Sequence, residues 1–111
     1  MPAIVKAKPI TVKITIDSRG ITANPRRVVV PKDQRKVPIR WRIRTRGWKF
    51  TDDGIVIHQN HNQFVARRRE ESQVFHWQSR NTDRKLYEYT INVTNGTTTA
   101  TRDPGIKNGG R

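Results

Sequence analysis

The chain has 111 residues, enough for one small domain and too few for a cofactor domain beside a substrate domain. Hydrophobic residues make up 32% and aromatics 7%, and 23 Lys and Arg stand against 9 Asp and Glu, for a net charge of +14. The absence of cysteine excludes disulfides, thiolate nucleophiles, thiolate zinc sites and iron–sulfur clusters.

Residues 1–9 read as an N-terminal arm without the apolar run of a secretory signal. No later stretch approaches the roughly 20 apolar residues that cross a bilayer, so a cytoplasmic protein without a membrane span is expected. Alternation with period two dominates from Ile10 onward, and no convincing 3.6 period interrupts it. Ile10, Val12, Ile14 and Ile16 alternate with Thr11, Lys13 and Thr15 until the turn formers Asp17-Ser18-Arg19-Gly20. Arg26 to Val30 is a strand bounded by Pro25 and Pro31, which argue for an edge position or for strand ends. After the polar loop Lys32 to Lys36, Val37, Ile39, Trp41 and Ile43 point one way and Arg40, Arg42 and Arg44 the other.

Trp48 and Phe50 share a face ahead of a turn at Asp52-Asp53-Gly54, and Ile55-Val56-Ile57 reads as a strand covered on both sides. His58 to Gln63 is a loop, Phe64 to Ala66 a strand running into Arg67-Arg68-Arg69-Glu70-Glu71, and Val74 to Gln78 a strand with Phe75 and Trp77 on one face. Following the loop Asn81 to Lys85, Leu86 to Thr94 carries Tyr87, Tyr89, Ile91 and Val93 in register. Asn95-Gly96 then signals a hairpin that folds Thr97 to Arg102 back antiparallel. Asp103-Pro104-Gly105 turns the chain again, residues 104–111 read as a polar C-terminal tail, and Lys107 to Arg111 are expected to be mobile.

This pattern predicts an all-β fold: a single domain over residues 10–103, built as a two-sheet antiparallel β-sandwich of about seven or eight strands, with a small barrel as the second choice. The expected core is Ile14, Val29, Ile39, Trp41, Ile43, Phe50, Ile57, Phe75, Trp77, Tyr89, Ile91 and Val93.

One resemblance bears on the fold. Its segments are Val28-Val29-Val30-Pro31-Lys32, Pro38-Ile39-Arg40-Trp41-Arg42-Ile43, Gly47-Trp48-Lys49-Phe50 with Asp53-Gly54-Ile55-Val56-Ile57, Phe75-His76-Trp77, Tyr87 to Val93, and Asp103-Pro104-Gly105-Ile106-Lys107-Asn108. Together they resemble small uncharacterised bacterial proteins with a cupredoxin-like or immunoglobulin-like sandwich. The resemblance runs from Ile10 to Asn108 and rests on core and turn residues, so it implies a fold and no activity. A blue-copper site needs a cysteine thiolate beside two histidines, and this chain has no cysteine, so copper is not implied and no cofactor is expected.

Charge is the functional signal. Arg supplies 15 of the 23 basic residues, and its planar fork suits bidentate phosphate contact. Arg40, Arg42 and Arg44 form a row spaced by two strand residues, which Arg46, the run Arg67, Arg68 and Arg69, and Arg26-Arg27 extend if the fold brings them to the same side. Nucleic acid or another polyanion is the expected partner, held by its backbone with little sequence specificity, since recognition-helix, zinc-finger and RNA-sheet motifs are all missing.

The competing reading is a protein-interaction or assembly module that pairs through an edge strand, with the charge serving solubility or docking of an acidic partner. Trp48, Tyr87 and Tyr89 are expected in the core and not as base-stacking platforms. His58, His61 and His76 read as surface residues, and a metal site requires all three to converge. No enzyme is expected: Asp52-Asp53 sits in a turn, and Ser18, Ser72 and Ser79 lack a His/Asp framework.

Overall fold

In a computed structural model of the chain, the structure describes residues 8–60, 62–66 and 72–109. These contain ten strands: β1 (Ile10–Asp17), β2 (Gly20–Asn24), β3 (Arg27–Val30), β4 (Val37–Ile43), β5 (Lys49–Ile57), β6 (Phe64–Ala66), β7 (Val74–Ser79), β8 (Leu86–Thr94), β9 (Thr99–Arg102) and β10 (Gly105–Asn108). They form two five-stranded sheets, the first ordered β2-β1-β4-β7-β6 and the second β3-β10-β8-β5 with β9 also paired to β8. Both sheets are mixed: β1 runs parallel to β4 and β3 parallel to β10, where a fully antiparallel arrangement of seven or eight strands was expected. Parallel pairs join segments far apart in sequence, so local alternation carries no trace of them.

The first sheet follows from its alternation. Val12, Ile14 and Ile16 of β1 point inward with Ile39, Trp41 and Ile43 of β4, and the register sets Val12 beside Trp41 and Ile14 beside Ile43. The β1–β2 turn places Gly20 at φ +117°, a conformation that L side chains rarely adopt, and Asp17 Oδ1 accepts the Arg19 N–H at 2.7 Å. β2 itself, with only Ile21 and Ala23 pointing in, has too short a pattern to announce itself as a strand.

Trp41 is fully buried and joins the two sheets. Its Nε1–H donates to the Tyr89 hydroxyl at 2.9 Å, and the two rings meet edge-to-face with centroids 5.2 Å apart. Phe50 meets Phe75 in the same manner at 5.6 Å, and Phe64 meets Tyr87 at 4.9 Å. One side of the core is closed where Trp77 Nε1–H donates to Ile55 O at 3.0 Å, and the other where Arg102 donates to Ile21 O at 2.8 Å. Among the described residues, no helix is long and apolar enough to cross a membrane.

Four sequence expectations change. Val29 is 62% exposed, while Val28 and Val30 are fully buried. Three successive valines leave the inward parity open, and pairing with β10 decides it. The Asp52-Asp53-Gly54 turn is instead a bulge inside β5: Phe50 pairs with Val93 and Ile55 with Ile91, so the residues between are looped out of register. Gly54 packs on the Phe50 ring, where a Cβ would lie 2.7 Å from Phe50 Cβ.

The β8–β9 hairpin forms as expected, but β9 starts at Thr99, with Asn95 Oδ1 accepting the Thr97 and Thr98 N–H groups across the loop. The expected polar tail contains a strand: Gly105 to Asn108 form β10, inserted between β3 and β8, with Ile106 fully buried, while residues 110 and 111 lie outside the described residues. A lone isoleucine among polar residues shows no periodicity, and both partners of β10 are remote in sequence. Phe75 and Trp77 are half-buried and pack against the core, and the remaining expected core residues are buried.

Candidate nucleic-acid interface

β4 lies in the middle of the first sheet, and burying its four apolar residues turns Pro38, Arg40 and Arg42 outward. The register places Thr11 and His76 on either side of Arg40, and Lys13 and Val74 on either side of Arg42. Asn24 of β2 lies beyond Lys13. Adjacent strands are about 4.8 Å apart and alternate residues along one strand about 6.6 Å apart, so Lys13, Arg40 and Arg42 form a compact cationic cluster. Arg44, one residue past β4, keeps the same parity because its N–H donates to Ile14 O at 2.7 Å, and it is exposed. Arg46 is exposed in the turn that leads to β5.

Two features set this face apart. Of the described residues at its outward strand positions, the one carboxylate is Asp17, at the far end of β1. Arg40 Nε is buried without a hydrogen-bond partner, so this end of the side chain lies against the sheet.

The structure therefore brings Arg40, Arg42 and Arg44 together and adds Lys13, which sequence reasoning missed because only the parallel β1–β4 pairing puts it there. Arg67, Arg68 and Arg69 lie outside the described residues. Arg26 and Arg27 do not extend the row: β3 is an edge of the second sheet, and Arg27 faces outward on that sheet.

The aromatic and histidine candidates resolve differently. Tyr87 and Tyr89 are buried and Trp48 is half-buried against the core. Burial pushes the Tyr89 phenol up to about 12, against the downward pull of the Trp41 hydrogen bond. His58 follows β5 on the second sheet, where its Nε2 lies 2.6 Å from Thr90 Oγ1, whereas His76 is on the outer face of the first sheet. These two histidines do not converge, and His61 lies outside the described residues. Among the described residues no group of three His, Cys, Asp or Glu side chains is placed to hold a metal ion.

A polar cluster that sequence reasoning also missed closes one end of the molecule. Asn81 Nδ2 donates to Pro31 O at 2.6 Å and Gln34 O at 2.7 Å, and Ser79 Oγ donates to Asn108 Oδ1 at 2.8 Å. Asn108 Nδ2 donates to Asp83 Oδ1 at 3.1 Å, and Tyr87 Oη donates to Asp83 Oδ2 at 2.5 Å. These residues tie loops to β7, β8 and β10, a structural use of their donors and acceptors. No protein-family model matches the chain, and no curated protein matches it in sequence.

Proposed function

We propose that the chain is a non-enzymatic β-sandwich binding module, of the cupredoxin-like or immunoglobulin-like kind without a copper site, that holds nucleic acid or a comparable polyanion by its phosphates. The observation that carries this reading is the convergence of Lys13, Arg40, Arg42 and Arg44 on one sheet face with no carboxylate among them. Guanidinium groups fit phosphate oxygens bidentately, and a net charge of +14 draws the polyanion in from a distance. Contacts of this kind position a backbone and do not read bases, so sequence specificity is weak. A cytoplasmic location, where nucleic acid is at hand, accompanies the reading.

Charge reversal tests it. The pair Arg42→Glu and Arg44→Glu is compared with Lys32→Glu and Lys49→Glu, which make the same change in net charge at exposed positions away from this face. Binding to double-stranded DNA, single-stranded DNA and heparin is followed from roughly 50 to 200 mM salt. Loss of two phosphate contacts lowers the log–log salt slope by about 1.4 on single strands and about 1.8 on duplex for the face pair, uniformly across sequences, with little change for the control pair. Equal losses in both pairs reduce the effect to generic attraction and sink the proposal.

A further inference from the structure

The outer face of the second sheet is built on a different plan. Its register sets Arg27 of β3, Gly105 of β10 and Glu88 of β8 in one row. Arg27 and Glu88 are thus two strand spacings apart, about 9.6 Å between backbones, and Gly105 puts no side chain of its own between them. Over this gap lies a hollow of about 550 Å³, walled by Arg26 and Arg27 on one side and Glu88 and Asp103 on the other, with Leu86 beside Gly105.

Gly105 is not required by its backbone. Among the described residues the left-handed glycines are Gly20, Gly47 and Gly96, so position 105 accepts a side chain without conformational strain. A Cβ there would meet the flexible end of Leu86 at 3.3 Å and Tyr87 O at 3.6 Å, both within what small shifts absorb. Gly105 is the first residue of β10, and its lack of a side chain leaves the backbone between Arg27 and Glu88 open to approach beside the end of Leu86.

The surroundings specify what approaches. Val29 and Leu86 are exposed at 62% and 51% and flank Lys107 in the neighbouring row of the same face. Thr90 Oγ1 donates to Asp103 Oδ1 at 2.6 Å, which leaves Thr90 to accept from His58 Nε2 and holds the Asp103 carboxylate at the rim. Glu88 and Asp103 repel phosphate, so this hollow is distinct in chemistry from the cationic face of the first sheet.

We propose that the slot over Gly105 binds a ligand carrying a carboxylate and an ammonium group on one short apolar body, the chemistry of an apolar amino acid or a short peptide. The carboxylate meets Arg26 and Arg27, the ammonium meets Glu88 and Asp103, and the apolar part lies over Gly105 against Leu86. An open site of this kind holds such a ligand in about the millimolar range.

The test is a titration of the full chain with L-leucine and with leucyl-leucine, followed by backbone amide shifts. Leucinamide lacks the carboxylate and 4-methylpentanoate lacks the amine. Both zwitterions are expected to shift amides of β3, β8 and β10, with the tighter of the two identifying the source, and the two controls to bind at least about tenfold more weakly. Gly105→Val fills the slot and removes the shifts while amide dispersion reports an intact fold. Glu88→Gln and Arg27→Gln, at exposed positions, each weaken binding about tenfold and stand in if the valine variant misfolds. Absence of shifts with either zwitterion, equal binding of the controls, or unchanged binding by the folded variants overturns the proposal.

Discussion

At the scale of single residues, Asp83 and Tyr89 show how burial and hydrogen bonding set pH behaviour. Burial pushes the Asp83 carboxyl up, but hydrogen bonds from Tyr87, Asn108 and the Lys85 N–H, with the Lys85 charge, outweigh it and hold the group below its ordinary value of 3.8. A carboxyl depressed on folding contributes stability above its unfolded value, and that contribution is lost as pH falls through the folded one. Asp83→Asn is therefore expected to cost about 0.5–1 kcal/mol at pH 7, solvent screening keeping it at the low end for a charged hydrogen-bond acceptor, and to shrink the difference between pH 7 and pH 3, read from urea midpoints.

Tyr89 behaves in the opposite sense. With its phenol raised by burial from 10.0 to about 12, stability is complete below pH 10 and is lost as pH rises through 12. Tyr89→Phe reduces the alkaline loss in urea midpoints taken from pH 9 to 12, the remainder belonging to Tyr87, whose phenol is raised by burial and by Asp83, at a cost of about 1 kcal/mol for the orphaned Trp41 N–H. The inward position of Tyr89 was legible from alternation along Leu86 to Thr94. Its partner was not, because 48 residues separate it from Trp41.

At the scale of elements, β3 and β10 carry the sharpest contrast between local signal and outcome. Ile106 is fully buried, so Ile106→Ala is expected to lower the unfolding free energy by about 2–5 kcal/mol in chemical denaturation. Val29→Thr, at a position 62% exposed, should stay within about 0.5 kcal/mol of the parent. The reverse ranking would mean that the 105–108 segment is not held between β3 and β8. β4, in contrast, was readable along its whole length, because seven residues of strict alternation leave a single way to bury it.

At the scale of the whole molecule, the two outer faces differ in chemistry: the first sheet presents Lys13, Arg40, Arg42 and Arg44, and the second sets Glu88 and Asp103 among its cations. Both parallel pairings join distant segments, β1 to β4 and β3 to β10, so closure of long loops precedes the contacts that reward it. Refolding followed by tryptophan fluorescence in stopped flow is accordingly expected in the millisecond-to-second range, and a microsecond phase accounting for the full signal would contradict it.

The all-β class, most strand positions, Trp41 at the core and the outward arginines of β4 were determined by the sequence alone, because a period of two and β-branched residues act on neighbours a few positions away. The tertiary structure decided which of three valines faces out, that residues 105–108 complete the second sheet, that Lys13 joins the arginines, and that Gly105 lies between Arg27 and Glu88. Each of these depends on pairing between segments remote in sequence, whose register is set by the fit of the whole core and leaves no periodic mark in the chain.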